Sequence, residues 1–169
     1  MEISKALKPS FAAAMLTCLA LAANPTSAAP TTVTTTFAVT ANVVATCVMS
    51  ATPMAFGNYT SITPSDSTST ITVSCSDLTT YNVGLNAGAT TGATVTTRQM
   101  KGAGAAVLHY TLHSDSARAV NWGNTVGTDT VAGVGTGAPQ LLTVYGQVPA
   151  GQGPASGAYT DTITATITF

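Results

Sequence analysis

The stretch AYTDTITATITF, residues 158–169, is typical of a β-strand in which every second side chain is apolar. Asp161 breaks this alternation, and we expect it to lie near an end of the strand or to pair locally. No sequence follows to pair with the far edge, which lacks the Lys, Pro or bulge that usually blunts an open edge. We therefore expect either two internal neighbours or a strand from outside the chain. The inner face is expected to carry Tyr159, Ile163, Ala165, Ile167 and Phe169.

Short alternating runs of this kind recur along the chain. Residues 33–43 continue such an alternation near the N-terminus, whereas residues 63–69 are expected to form a turn and residues 127–139 a loop or weak hairpin. No segment after the N-terminal region has the period of a helix of three turns. The patterns predict a single all-β domain, a sandwich or a barrel. The other alternating runs are ITVSC (71–75), YNVGLNAG (81–88), VLHYTLHSD (107–115) and QLLTVYGQV (140–148).

The first 28 residues have the order of a secretory signal peptide, with basic residues, an apolar run over residues 11–23 and small residues before the expected cleavage after Ala28. The apolar run is too short for an ordinary membrane-spanning helix. Cleavage removes Cys18 and leaves Cys47 and Cys75, which we expect to form one disulfide bond because an exported protein folds in an oxidising compartment. We expect a secreted protein with one domain.

The polar side chains do not form the pattern of an enzyme, a metal site or a nucleic-acid-binding surface. After residue 28 the chain has only three basic residues and five aspartates, so it offers no basic patch to phosphates. The two histidines, His109 and His113, would lie about 13 Å apart on a strand, too far to share one metal ion. No Gly-x-Ser-x-Gly elbow and no pair of carboxylates stands out. We expect no catalytic residue, no cofactor, no nucleic acid and no small-molecule substrate.

Nine motifs follow one another along nearly the whole chain after the signal peptide. They are FAVTANV with the later Cys (37–47), FGNY (56–59), ITVSC (71–75), YNVGLNAG (81–88), RQM (98–100), LHYTLHSD (108–115), WGN (122–124), YGQVPAGQ (145–152) and GAYTDTITATITF (157–169). In this order they resemble the spore coat protein U domain family, which contains the pilin subunits of archaic chaperone-usher pili.

The resemblance implies an immunoglobulin-like sandwich that lacks its last strand. A periplasmic chaperone would supply that strand temporarily, and at an outer-membrane usher the N-terminal strand of the next subunit would replace it. The protein would then leave through the periplasm as a structural subunit of a cell-surface pilus, in contact with identical or related pilin subunits and with roles in adhesion and biofilm formation.

On this basis residues 29–40 are expected to be a donor-strand extension and residues 41–169 the pilin domain. Residues 29–46 reach roughly 60 Å when extended, whereas one strand leading to Cys47 needs only part of that length. Alternation continues to residue 43, so the pattern leaves open where a donor strand ends. The expected donor residues are Val33, Thr35, Phe37 and Val39, and the expected groove residues are Tyr159, Ile163, Ala165, Ile167 and Phe169.

Two other interpretations stay open at this stage, one structural and one a binding module. A secreted coat or matrix protein would self-associate without an usher. A binding module at a pilus tip generally carries a further N-terminal receptor domain, for which a chain of 169 residues has no room. A shaft or adaptor subunit is therefore the expectation that we carry forward.

Overall fold

The computed structural model describes residues 28–169, which form strands and loops without any helix. The predicted signal peptide, residues 1–28, lies outside the described residues except for Ala28. Among the described residues, no helix is long and apolar enough to cross a membrane. In chain order the strands are β1 (Cys47–Ala51), β2 (Ser65–Cys75), β3 (Thr80–Leu85), β4 (Arg98–Lys101), β5 (Val107–His113), β6 (Val131–Val134), β7 (Gln140–Val148) and β8 (Ala165–Thr168).

These strands form two sheets in which every neighbouring pair is antiparallel. The larger sheet has the order β1-β2-β7-β5-β4, and the smaller one has the order β6-β3-β8. The ladder between β2 and β7 extends from Ser65 opposite Val148 to Val73 opposite Gln140. β8 lies at an edge of the smaller sheet, with β3 as its one neighbour among the described strands. The predicted all-β fold is confirmed.

The core between the sheets is built from alternate side chains of the predicted runs. β2, β3 and β5 each bury three of them, and Trp122 is buried among them, where its indole Nε1 donates a hydrogen bond to the carbonyl of Val83 at 2.8 Å. Residue 84 in this region is a glycine, and a Cβ at this position would approach the Cα of Asn124 to 3.0 Å, which leaves little room for a side chain. The side chains predicted to face inward, and found buried, are Ile71, Val73, Cys75, Tyr81, Val83, Leu85, Leu108, Tyr110 and Leu112.

One disulfide bond joins the first strand to the second. Cys47 begins β1, Cys75 ends β2, and the two residues lie directly opposite each other in the ladder. The bond therefore fixes one end of the edge strand β1 to β2. The predicted pairing of Cys47 with Cys75 is confirmed.

Two predictions about local structure are wrong. Residues 65–69 were expected to form a turn because Ser and Asp are turn residues, but they belong to β2, where β7 pairs with them. Residues 127–139 were expected to form a loop or weak hairpin, but they contain β6, which pairs with β3 through Val131–Val134. In both places the neighbouring strand in the sheet decides the conformation, which the local sequence does not show.

The expected strands at the two ends of the chain are shorter or absent. Of residues 158–169 only Ala165–Thr168 form a strand, because β3, the strand that pairs with them, ends at Leu85. Residues 28–46 contain no strand, and they have no ladder partner among the described strands. A strand needs a neighbour to satisfy its backbone groups, so an alternating sequence alone does not produce one.

Candidate strand-binding cleft

A cleft of about 410 Å³ opens between the edges of the two sheets. One wall runs on from the end of β1, over residues 51–56, and the other runs into the start of β8, over residues 159–165. The core forms the floor between these walls, and its floor side chains are buried except for that of Met100, which is half-buried. The floor side chains are Ile71, Leu85, Met100, Tyr110, Leu112 and Val144.

A second opening of about 890 Å³ continues the cleft toward the turn between β7 and β8. The two openings share Met54, Phe56, Met100 and Tyr159, so they are parts of one groove. The turn is held in place by Gln152, whose side-chain amide accepts from the N–H of His109 at 2.8 Å and donates to its carbonyl at 2.9 Å. This amide pairs with β5 as a neighbouring strand would.

The wall that leads into β8 has unpaired backbone groups on its cleft side. The N–H of Asn86 donates to the carbonyl of Thr164 at 3.1 Å, so these two residues form a hydrogen-bonded pair. Pairs alternate along an antiparallel ladder, and the next pair, Leu85 and Ala165, is therefore a non-hydrogen-bonded pair. The N–H of Leu85 instead donates to Gly123 on its other side. By the same alternation, the backbone N–H and C=O groups of Ile163 and Ala165 point away from β3 and toward the cleft.

The sequence predicted five inward-facing side chains along this wall. The structure places Tyr159, Ile163 and Ala165 in the cleft lining, each half-buried. Ile167 is also half-buried and lies beyond this lining, and Phe169 is 57 % exposed at the end of the chain. The alternation is therefore kept through residue 167, although only the last part of it is paired as a strand.

Three serines hold the opposite wall away from the larger sheet. The last main-chain bond from this wall to β2 is the N–H of Thr52 to the carbonyl of Thr70, at 3.0 Å. Beyond it, serine hydroxyls on the inner face of β2 take the place of a main-chain ladder, so the wall stands one side-chain length from β2. The bonds run from Ser65 Oγ to Phe56 O at 2.7 Å, from Ser67 Oγ to Ala55 O at 2.7 Å, and from Ser69 Oγ to Thr52 O.

Two apolar side chains of the wall formed by residues 51–56 extend across the larger sheet. Met54 and Phe56 lie over Gly146 of β7, where a Cβ would collide with both of them. The ring of Phe56 lies 6.0 Å from that of Tyr110, in a tilted arrangement. Neither amide N–H of these two residues takes part in a main-chain hydrogen bond within residues 28–169. The wall thus has apolar contacts on the floor side and free backbone donors.

Asp161 is the one charged side chain in the lining of the smaller opening. Its Oδ2 accepts from the hydroxyl of Tyr110 at 2.6 Å, and its Oδ1 accepts from the N–H groups of Ala89 and Thr162, each at 2.8 Å. Burial and the bond to this carboxylate raise the pKa of Tyr110 above its ordinary value. The prediction that Asp161 pairs locally is met by these three bonds, and the one from Tyr110 also ties the β8 wall to β5 of the other sheet.

Arg98 supports the part of the cleft around Tyr110 and Asp161. The sequence indicated it only as a member of the RQM motif, residues 98–100. It is fully buried, and its guanidinium donates to four main-chain carbonyls. Burial lowers the pKa of Arg98, and electrostatic interactions with Tyr110, Asp129 and Asp161 oppose that shift. The only signal for this role in the sequence is an arginine in a chain with very few charges. Its acceptors are Asn86 at 2.8 Å, Val95 at 2.6 Å, Leu85 at 3.0 Å and Trp122 at 2.7 Å.

The N-terminal segment, residues 28–46, carries the expected donor residues on an exposed chain. Val33, Phe37 and Val39 are 89 %, 85 % and 83 % exposed. Three large apolar side chains with such exposure on one face of a segment are unusual in a protein that acts alone. The histidines considered for a metal site, His109 and His113, both lie on β5, and no group of three or more potential metal ligands occurs within the described chain.

Comparisons with known proteins agree on one family and one fold. The profile of the Spore Coat Protein U domain matches residues 33–166. Protein U of Myxococcus xanthus is 41% identical over 107 residues, which are 60% of this chain and 59% of that protein. The CsuC-CsuE chaperone-tip adhesion subunit pre-assembly complex, from archaic chaperone-usher Csu pili of Acinetobacter baumannii, contains a similar chain with a TM-score of 0.55 and 25% identity. That match covers 75% of this chain and 40% of the other, so this chain spans less than two thirds of both relatives.

Proposed function

The chain belongs to the Spore Coat Protein U domain family, and on that premise we propose that it is a structural subunit of a surface pilus built by the archaic chaperone-usher pathway. In this proposal the exposed N-terminal segment of one copy fills the cleft of the next copy by donor-strand complementation. The assembled fibre serves adhesion and biofilm formation.

A single observation carries the proposal, namely an apolar cleft whose two walls both have unpaired backbone groups. The wall of residues 159–165 is roughly 23 Å long, and the N-terminal segment of residues 29–46 reaches roughly 60 Å when extended. The segment is therefore long enough to fill the cleft of a neighbour and still lead back to Cys47 of its own domain. Its alternating apolar residues match a site in which one face of the incoming strand is buried.

The partners of this subunit follow from the same open edge. Until the next copy arrives, a periplasmic chaperone covers the cleft, and an outer-membrane usher exchanges the chaperone for the N-terminal segment of another subunit. The similarity to a subunit chain in the CsuC-CsuE chaperone-subunit complex supports the chaperone as a partner. The protein reaches the cell surface through the periplasm.

A secreted coat or matrix protein that self-associates without an usher is the second candidate. The 41% identity to protein U of Myxococcus xanthus, within a family named for a spore coat, favours it. The same cleft and N-terminal segment would serve both candidates. They differ in the machinery, because the pilus subunit needs a chaperone and an usher whereas the coat protein assembles as soon as it is exported.

Mixing two defective variants of the mature chain tests whether one copy completes another. Phe37→Asp disables the N-terminal segment and leaves the cleft intact, whereas Ile163→Asp disables the cleft and leaves the segment intact. We expect each variant to be monomeric alone and their mixture to form dimers but no longer chains. Thr36→Asp and Thr162→Asp, on the opposite faces of the same two stretches, are the matched controls and should polymerise normally.

Size-exclusion chromatography with light scattering reads out this experiment. If the mixture stays monomeric, or if Phe37→Asp polymerises like the unmodified chain, the proposal fails. Export in cells with and without the usher then separates the two candidates. Fibres that form without the usher would favour the coat protein.

A further inference from the structure

The cleft has one polar feature that a bound strand must match. The side chains that face the cleft from its β8 wall are those of Tyr159, Asp161, Ile163 and Ala165, and Asp161 alone among them is charged. An apolar side chain placed against this carboxylate would remove it from water without offering a hydrogen bond, which is unfavourable. The carboxylate therefore favours a polar partner in any strand that fills the cleft.

The carboxylate also has capacity for another hydrogen bond. An ionised carboxylate accepts about four, and Asp161 accepts three within the described chain. Two of these go to Oδ1, so the remaining position is on Oδ2, beside the bond from Tyr110. A hydroxyl from an incoming strand would occupy it.

The N-terminal segment carries one polar side chain on its apolar face. Counting every second residue from Val33 gives Val33, Thr35, Phe37 and Val39, and Thr35 alone among these has a hydroxyl. The same face continues through Ala41 and Val43 without another polar group. The apolar face of the segment therefore has one polar side chain, that of Thr35, which can meet the one charged side chain of the cleft wall, that of Asp161.

We propose that Asp161 sets the register of assembly by receiving the hydroxyl of Thr35 from a second copy of the chain. This inference rests on the proposed function, and it adds which residues of the two copies meet. A slip of one residue would turn the whole apolar face outward. A slip of two residues in either direction would place Val33 or Phe37 against the carboxylate and leave Thr35 in an apolar environment.

The register holds for either direction of the incoming strand. With Thr35 opposite Asp161, Phe37 lies at the level of Ile163 if the strand is parallel to the wall and at the level of Tyr159 if it is antiparallel. Both places are apolar, since Ile163 lies over the core floor and Tyr159 adjoins Phe56 and Met100. The polar pair therefore fixes the register without fixing the direction.

A peptide of residues 29–45, titrated into the full mature chain carrying Phe37→Asp, measures the contribution of Thr35. Thr35→Val keeps the shape and removes the hydroxyl, and we expect binding to weaken about 10-fold or more, as for a lost hydrogen bond to a charged group. Thr35→Ser should bind within about 3-fold of the unmodified peptide, since the hydroxyl is restored. Thr36→Val on the opposite face is the matched control and should bind as the unmodified peptide does.

Asp161→Asn in the acceptor chain completes a double-mutant cycle, and the penalty for Thr35→Val should shrink there. A second measurement locates the contact, because a Thr35→Cys peptide should form a disulfide with an Asp161→Cys chain faster than with Tyr159→Cys or Ile163→Cys chains. Equal binding of the Thr35→Val and Thr36→Val peptides, or faster cross-linking at position 159 or 163, would overturn the register. If the unmodified peptide does not bind at all, the proposed function fails as well.

Discussion

Replacing Arg98 by Met should cost the domain about 2–6 kcal/mol of its free energy of unfolding. The side chain is fully buried, and two of its four acceptors, the carbonyls of Leu85 and Trp122, receive their bonds in the buried interior. Met fills a similar volume but cannot donate, so both carbonyls lose their partner. Each buried acceptor left without a partner costs about 1–3 kcal/mol. That loss is a large share of the 5–15 kcal/mol that typically stabilises a small domain.

Urea denaturation of the monomeric Phe37→Asp chain, with its disulfide intact, measures this loss. Arg118→Met is the matched control, because Arg118 forms an exposed ion pair with Asp66 at 3.2 Å and should cost about 1 kcal/mol or less. We expect the midpoint to fall far more for Arg98→Met, with the slope unchanged. Equal losses for the two arginines would refute the assignment of Arg98 as the buried support of the cleft.

Three further predictions concern the disulfide, an ionisable group and one cleft wall. Replacing both Cys47 and Cys75 by Ser should lower the free energy of unfolding by about 3–4 kcal/mol, since the bond closes a loop with a sequence separation of 28. A melting temperature equal to that of the oxidised chain would contradict this stabilising role of the disulfide. The pKa of Tyr110 is raised by burial, so its contribution to stability is fully present below about pH 10 and is lost as the pH rises above that value. The urea midpoint should therefore fall less steeply between about pH 9 and about pH 11 in the Tyr110→Phe variant. An equally steep fall in both chains would show that ionisation of Tyr110 does not control this loss of stability. Ser67→Ala removes the hydrogen bond to the carbonyl of Ala55 and should weaken binding of the peptide of residues 29–45 about 2- to 10-fold. Ser74→Ala, on the outer face of β2, is the control and should leave binding unchanged. Equal affinities of the two variants would exclude a role for Ser67 in holding the wall.

Much of the fold could be predicted from the sequence because alternation reports which face of a strand is buried. The runs around Ile71, Val83 and Tyr110 all bury the predicted side chains, and the cysteine pairing follows from the oxidising compartment. These features depend on local pattern and on simple counting. They need no knowledge of which strand lies next to which.

The features that the sequence did not show depend on neighbours in space. Ser65 and Ser67 read as turn residues, yet their hydroxyls serve as substitutes for a main-chain ladder once residues 52–56 lie beside them. Arg98 gives no periodic signal, and its role appears only when four carbonyls from three separate segments converge on it. The alternation of residues 158–164 was visible, but the absence of a paired strand there follows from where β3 ends.

Amide hydrogen exchange at Ile163 and Ala165 examines the open edge itself. In the monomeric Phe37→Asp chain these two N–H groups have no strand beside them, so we expect them to exchange much faster than the buried amides of β2, and to become protected when the peptide of residues 29–45 is added. Strong protection of both amides in the monomer before any peptide is present would show that the chain closes its own sandwich, and would contradict completion by a second copy.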